Sequence, residues 1–276
     1  MRVLLAVLLL VAPALWAQER PADTPLESLQ TGDAARAWQA VGRLDIAGTG
    51  FCTGALISDR HVLTAAHCLF NSRTGAQVDP AQIEFRAGWR NGRAEAYRDV
   101  RRAVVHPDYV FGTDKTNTSE VRHDVALLEL AQPIRNGRIM PFAVSAQARK
   151  GDRVGIVSYA RDRSEAPSLQ ETCRVMARQS GVLIMSCDVN FGSSGAPVFN
   201  FDGAEPQITS VVSAMAKLRG NRVALGVSLR DQVALLQAEL ANGGGVFQAP
   251  APSMTQVRRL SSGTARQAGG AKFVKP

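Results

Sequence analysis

Short apolar runs separated by turn-forming residues are the feature that most constrains how this chain can fold. From residue 40 onward, short apolar or alternating runs recur, and glycine, aspartate, asparagine or proline lies between them. The runs form two series, 40–130 and 154–227, with the segment 132–137 between them. Many short strands with frequent turn signals are typical of a β-barrel or a β-sandwich. The sequence therefore predicts an all-β fold with two clusters of strands.

One later segment has helical periodicity instead. Four apolar residues in it are spaced by four, three and four positions and share one helical face: Leu229, Val233, Leu236 and Leu240. Three glycines at 243–245 end the pattern. We therefore expect a C-terminal helix at 228–242, directly after the second cluster of strands.

The first seventeen residues have the pattern of an export signal. Arg2 supplies a positive charge, and residues 3–11 form an apolar run without a polar side chain. This run is too short to cross a hydrocarbon core, which needs about 20 apolar residues. We expect cleavage after Ala17, with Ala14 as the alternative site, and a secreted or periplasmic protein without a transmembrane segment. A retained membrane anchor is the competing interpretation.

Export permits disulfide bonds, and the chain has four cysteines, Cys52, Cys68, Cys173 and Cys187. Three pairings are open in principle. If near neighbours pair, each bond closes a loop of about 15 residues, which is worth roughly 3 kcal/mol in the chain-entropy model. Zinc is the alternative use of four cysteines, but no Cys-x-x-Cys spacing occurs. We predict neither a metal nor a cofactor.

The excess of positive charge lies mostly in the tail at 243–276. The whole chain has 32 Lys and Arg against 24 Asp and Glu, a net charge of +8. The tail has no carboxylate side chain and five cationic ones: Arg258, Arg259, Arg266, Lys272 and Lys275. Without these and Arg2, residues 18–242 are nearly neutral, so charge gives no case for a nucleic-acid-binding domain.

Both flanks of the predicted domain are poor in large apolar residues. We interpret residues 18–37, which are mostly polar and contain two prolines, as a linker or a short prosegment. The tail at 243–276 is rich in Gly, Ala, Ser, Pro and Gln, so it cannot bury enough surface to offset the entropy of ordering. We expect it to be flexible. We interpret it as a solvated, dispensable extension, with contact to an anionic surface as the alternative role.

Three local sequences carry residues suited to nucleophilic catalysis: TAAHC at 64–68, HDVALLEL at 123–130 and FGSSGAP at 191–197. Each has an ordinary structural explanation when it is taken alone. The histidine can be structural, the aspartate can cap a turn, and two serines between glycines can form a plain turn. Together, in the order His, Asp, Ser on an exported β chain, they favour a catalytic triad.

These motifs resemble those of the chymotrypsin-like (trypsin-like) serine peptidases, and the bacterial branch with the glutamyl endopeptidases is closest. The resemblance covers residues 38–242. It implies two six-stranded antiparallel β-barrels, at about 38–133 and 138–227, with the active site between them. It also implies a monomeric serine endopeptidase that cleaves proteins or peptides through an acyl-enzyme. The alternative is a catalytically silent relative that serves as a binding or regulatory module.

The resemblance assigns a role to each motif residue. Ser194 is the nucleophile, His67 is the base that takes its proton, and Asp124 accepts the other ring N–H. The N–H groups of Gly192 and Ser194 form the oxyanion hole. Ser194 is preferred to Ser193 because the family motif places a single residue between this glycine and the reactive serine.

The resemblance also implies disulfides Cys52–Cys68 and Cys173–Cys187, and it reveals a departure at Ser193. Animal members carry an aspartate there, which receives the new N-terminal ammonium after zymogen cleavage. A neutral serine cannot form that ion pair. The chain is therefore predicted to lack this activation switch.

Substrate preference is predicted from the residues at the positions of the family's specificity pocket. Asp188 lies where trypsin-like members place the aspartate at the pocket base, which favours Lys or Arg. Met215, two residues after Ser213, replaces a glycine that keeps the pocket open. Val212 replaces the histidine with which glutamyl endopeptidases bind acidic side chains. The residue on the acyl side of the cleaved bond is therefore expected to be basic, or else apolar or small, rather than acidic.

Overall fold

The structure is a computed structural model that describes residues 22–248, except 49, 113–117, 145–147 and 230. The predicted export signal and residues 249–276 of the tail lie outside the described residues. Among the helices that are described, none is long and apolar enough to cross a membrane.

The described elements follow one another in two groups of strands. The two-residue strand β1 (Glu27–Ser28) comes first. The first group is β2 (Val41–Ile46), β3 (Gly50–Leu56), β4 (His61–Thr64), β5 (Ile83–Ala87), β6 (Ala96–Val105), the short helix α1 (Thr118–Val121) and β7 (Ala126–Leu130). The second group is β8 (Arg153–Ala160), β9 (Arg163–Gln179), β10 (Val182–Met185), β11 (Pro197–Asn200), β12 (Gln207–Leu218) and β13 (Asn221–Ser228). Helix α2 (Gln232–Asn242) and β14 (Val246–Gln248) follow, and three single 3-10 turns occur at Arg36–Trp38, Ala66–Leu69 and Pro80–Gln82.

Each group closes into an antiparallel barrel. In the first barrel the hydrogen-bonded order is β2-β3-β4-β7-β6-β5, and β5 pairs back to β2. In the second barrel the order is β8-β9-β10-β13-β12-β11, and β11 pairs back to β8. Strand β5 shows why the chain folds this way, since its residues alternate between buried and half-buried. The predicted fold of two six-stranded barrels with a helix near the C-terminus is confirmed.

Each end of the described chain adds a strand to the more distant barrel. Strand β1 pairs with β9 of the second barrel, and Leu29 just after it is buried. Strand β14 pairs with β6 of the first barrel, where Phe247 packs against the core. Residues 18–37 are therefore not a free linker throughout, and the tail does not become flexible at 243. Each of these strands is ordered because its backbone N–H and C=O groups pair with the edge of a sheet, and composition alone does not reveal such pairing.

Helix α2 begins at Gln232, four residues later than predicted, because Ser228 is the last residue of β13. Its buried side chains are Leu236 and Leu240, which belong to the predicted apolar face. Gly243 ends it with a left-handed backbone, a conformation that costs glycine little.

Candidate active site

The paired strands β4 and β7 bring the predicted base and its acidic partner together. Thr64 at the end of β4 is opposite Ala126 at the start of β7. His67 lies in the 3-10 turn that follows β4, and Asp124 lies two residues before β7. The same end of the first barrel therefore carries both side chains, although 57 positions separate them in the sequence.

Asp124 is held by three hydrogen bonds in a buried position. Nδ1 of His67 lies 2.7 Å from Oδ2 of the carboxylate, and the backbone N–H of His67 donates to Oδ1 at 2.8 Å. The hydroxyl of Ser213 donates to Oδ2 at 2.5 Å. Burial alone raises the pKa of Asp124, but the nearby imidazole and these hydrogen bonds outweigh it and hold the pKa below its usual value. An ionised Asp124 therefore fixes the orientation of the imidazole and leaves Nε2 as its second functional nitrogen.

Ser194 comes from the second barrel, in the segment between β10 and β11, and is half-buried. It lines a cleft of about 810 Å³ together with His67 and Gly192. In the described residues no hydrogen bond joins its hydroxyl to Nε2 of His67. Such bonds are often long without a bound substrate and tighten in the complex. Ser193 does not line the cleft, and its side chain is fully buried.

The backbone N–H groups of Gly192 and of Ser194 itself are oriented so that a ligand can accept hydrogen bonds from them. The carbonyl of Phe191 accepts from the N–H of Arg161 at 2.7 Å, and the carbonyl of Ser193 accepts from Ala196 at 3.0 Å. In a trans peptide the N–H is directed away from the carbonyl, so the N–H groups of Gly192 and Ser194 face the other way. Neither donates to an acceptor within the part of the chain that the structure describes. This arrangement suits an oxyanion hole.

Thr53 on β3 supports these groups from the first barrel. Its hydroxyl donates to the carbonyl of Gly192 at 2.9 Å, and its N–H donates to the carbonyl of Ser194 at 2.8 Å. Sequence reasoning missed this residue, because a buried threonine in a strand has no pattern that separates support of a site from ordinary packing.

Gly195, directly after Ser194, is required by its surroundings. Its φ is +78°, and an added Cβ would lie 2.1 Å from the hydroxyl of Thr64 and 2.2 Å from the carbonyl of Thr53. The second glycine of the predicted motif therefore lets the two barrels approach each other beside the nucleophile.

Both predicted disulfides are confirmed. Cys52–Cys68 joins β3 to the 3-10 turn that carries His67, and Cys173–Cys187 joins β9 to the segment after β10. The first bond therefore restrains the loop of the proposed base directly.

The three residues predicted to form a specificity pocket have different surroundings. Asp188 is exposed, so it is not the buried carboxylate that a preference for Lys or Arg requires, and its N–H donates to the side chain of Gln170 at 2.8 Å. Ser213 contacts Asp124 instead. Met215 is half-buried against the core of the second barrel. None of the three lines the cleft. Sequence position alone could not reveal where these side chains lie.

Two clusters in the described residues place metal-ligating atoms close together, but their groups are already engaged. In the first, Cys52 and Cys68 are joined in the disulfide beside His67. In the second, the rings of His106 and His123 stack with centroids 4.5 Å apart, and Nδ1 of His106 accepts the N–H of Asp108 at 3.1 Å. Neither cluster gives a reason to revise the prediction of no metal.

Comparison with known proteins places this geometry in a family. A family model described as Trypsin matches residues 30–230. The chain belongs to the trypsin family. It is 31% identical over 166 residues to Serine protease 23 of Homo sapiens, which covers 54% of this chain and 42% of the relative. It is 26% identical over 151 residues to a glutamyl endopeptidase of Bacillus licheniformis, which covers 54% of this chain and 45% of the relative. The chain thus spans less than half the length of these two relatives.

A solved Glu endopeptidase has the same fold. The two structures superpose with a TM-score of 0.62 over 81% of this chain and 97% of that one, at 16% sequence identity. This trypsin-family member therefore shares the two-barrel architecture with a Glu endopeptidase despite low identity, in agreement with the resemblance found in the sequence.

Proposed function

We propose that this trypsin-family protein is an exported serine endopeptidase that hydrolyses peptide bonds in proteins or peptides. One observation carries the proposal. A buried, ionised Asp124 orients His67 in the same cleft that contains Ser194 and two N–H groups that have no acceptor among the described residues. These are the groups that acyl transfer requires.

The chemistry follows from the position of each group. Nε2 of His67 takes the hydroxyl proton of Ser194 while the Ser194 oxygen bonds to the substrate carbonyl carbon. The N–H groups of Gly192 and Ser194 bind the resulting oxyanion. The tetrahedral species collapses, the C–N bond breaks, and the imidazolium gives its proton to the leaving amine. Water then attacks the ester by the same route, which releases the acid and regenerates the Ser194 hydroxyl.

Side-chain preference on the acyl side is proposed to be apolar or small. The exposed position of Asp188 removes the reason to expect a basic residue. A cleavage profile on a peptide library tests this, and strong selection for Lys or Arg would contradict it.

Labelling with an active-site phosphonate tests the nucleophile. The wild-type chain should be labelled at Ser194, and Ser194→Ala should lose both labelling and hydrolysis while it remains folded. Ser193→Ala is the control for labelling alone, because the variant keeps the Ser194 hydroxyl and should still take the label at that residue. Labelling that survives in Ser194→Ala would overturn the assignment. A wild-type chain that takes no label would favour the silent binding or regulatory relative.

Export is proposed from the N-terminal sequence, and the two disulfides support an oxidising destination. Mass analysis of the mature protein tests it, since cleavage after Ala17 leaves Gln18 as the first residue. An intact Met1 in the exported fraction would contradict the proposal.

A further inference from the structure

Ser193 lies directly before the proposed nucleophile and lacks the charge by which animal relatives hold this part of the chain. We call residues 190–194 the oxyanion loop, because both candidate oxyanion donors belong to it. The conformation of the oxyanion loop must therefore be fixed by something other than an ion pair at Ser193. The tight turn between β8 and β9 lies against the loop, since the N–H of Arg161 donates to Phe191.

Arg163, the first residue of β9, extends its guanidinium beneath the oxyanion loop. Its Nη1 donates to both the carbonyl and the hydroxyl of Ser158 at 3.1 Å. Its Nη2 lies 3.4 Å from the hydroxyl of Ser193. That hydroxyl also lies 3.3 Å from the carbonyl of Tyr159, so the guanidinium belongs to a network centred on the fully buried Ser193.

The charge of Arg163 is partly buried and forms no ion pair with the described residues. The acidic side chains that influence it are Asp162 and Asp188, and both are exposed. Burial lowers the pKa of Arg163, which shows the cost of holding a cation at this place. A cation held by neutral oxygens is costly to bury. An arginine whose guanidinium is in solvent would avoid that cost. The partly buried position of Arg163 is therefore better explained by support of the oxyanion loop than by a need for positive charge on the surface.

We infer that Arg163 is a positioning residue that replaces an N-terminal ammonium. It fixes Ser193 from inside the fold and so keeps the N–H groups of Gly192 and Ser194 directed at the substrate carbonyl. The inference rests on the proposed peptidase function. It has a regulatory consequence, because the oxyanion loop is set without any newly formed N-terminus.

Kinetics of Arg163→Met, compared with a control from the same strand, test the inference. Arg178→Met is the matched control, since Arg178 also lies on β9 and also contacts a serine hydroxyl, that of Ser228. Arg163→Met should lower kcat about 10- to 100-fold with little change in KM, because oxyanion donors act mainly in the transition state. It should weaken a peptide aldehyde inhibitor by a similar factor. Arg178→Met should change neither value by more than about twofold.

A charge-restoring variant separates positioning from general stability. Ser193→Asp should retain activity while Arg163 is present, because the new carboxylate gains a cationic partner. In the Arg163→Met background the same substitution should abolish activity, since it buries an unpaired charge. If Arg163→Met fails to fold, Arg163→Lys decides, because it keeps the charge but loses the fork that reaches both serines, and its kcat should fall.

The outcomes distinguish the inference from the proposed function. A wild-type chain that neither labels nor hydrolyses refutes the peptidase function itself. A wild-type chain that is active, with wild-type kcat and aldehyde affinity in the folded Arg163 variants, refutes only the role of Arg163.

Discussion

At the scale of single residues, the environment of Asp124 determines how the site responds to pH. Its pKa in the folded protein is lower than its usual value, so the ionised form stabilises the fold. This stabilisation is fully present above the ordinary carboxyl pKa of about 3.9 and is lost as the pH falls through the folded value. The site is therefore built to keep its carboxylate charged well into the acid range.

Ser213→Ala removes one of the hydrogen bonds that lower this pKa. A hydrogen bond to a charged group is worth about 1.5–3 kcal/mol. The free energy of unfolding of the variant should therefore be lower by about 1.5–3 kcal/mol above pH ~5. The folded pKa of Asp124 should rise, so the remaining stabilisation should be lost at a higher pH. Denaturant unfolding between about pH 3 and 7 measures both effects.

Ser210→Ala provides the control for Ser213→Ala. Ser210 is buried on the same strand, but its hydroxyl donates to the carbonyl of Val227 rather than to a titrating group. Its loss should therefore lower stability equally at all these pH values. The same pH profile in both variants would contradict the proposed role of Ser213.

The motif residues and their supporting residues differ in how far sequence predicts them. His67 and Asp124 were found because short, specific motifs contain them, and the structure brings them into contact. Thr53 and Arg163 lie outside those motifs. Thr53 acts on a carbonyl 139 positions away, so only the docked barrels reveal its role. Sequence thus predicts the groups that resemble a known motif more readily than those that hold them in place.

At the scale of elements, alternation and turn signals predict the strands and their two clusters well, because each strand must bury one face. The closure of each cluster into a six-stranded barrel was implied by the family resemblance. The terminal strands were missed for a physical reason. With two and three residues, β1 and β14 are too short to show a period, and only their partners order them. The start of α2 was missed because the apolar residue Leu229, which follows β13, continues the helical spacing.

The two disulfides allow a matched test of how one element restrains the site. The paired cysteines are separated by similar distances in the sequence, 16 and 14 residues. Removal of either bond should therefore lower the free energy of unfolding by about 3 kcal/mol. Only Cys52→Ala with Cys68→Ala should also lower kcat substantially, because this bond anchors the turn of His67.

The control is the pair Cys173→Ala with Cys187→Ala. It should lose similar stability and retain most of its turnover at a temperature where both variants are folded. Equal losses of kcat in the two variants would show that the first disulfide has no special role at the site.

At the scale of the whole molecule, the last described strand is predicted to contribute to stability. A chain that ends at Gly243 lacks β14, including the half-buried Val246 and Phe247. Loss of this packing should cost about 2 kcal/mol, which corresponds to a fall in Tm of roughly 4–8 °C for a protein of this size. Thermal unfolding of the two chain lengths measures the difference.

A chain that ends at Gln248 is the control, because it retains β14 and lacks only the later residues. It should unfold at the temperature of the full chain, and a low Tm would contradict the assignment of the stabilisation to β14. The full chain and the chain that ends at Gln248 also test the tail. Without the five cationic side chains beyond residue 248, retention on an anionic matrix should become weaker and less dependent on salt.

The crossed placement of β1 and β14 has a consequence for the order of events as the chain is made. Synthesis runs from the N-terminus, so β6 exists long before β14 can pair with it. Strand β9 and the segment that carries Ser194 are also made before β14, the strand that is added to the first barrel. Every residue that lines the cleft has been made once Ser194 has emerged, whereas the pairing of β14 with β6 comes later. The groups of the proposed site can therefore assemble before β14 is added, and β14 then stabilises a first barrel that is already closed.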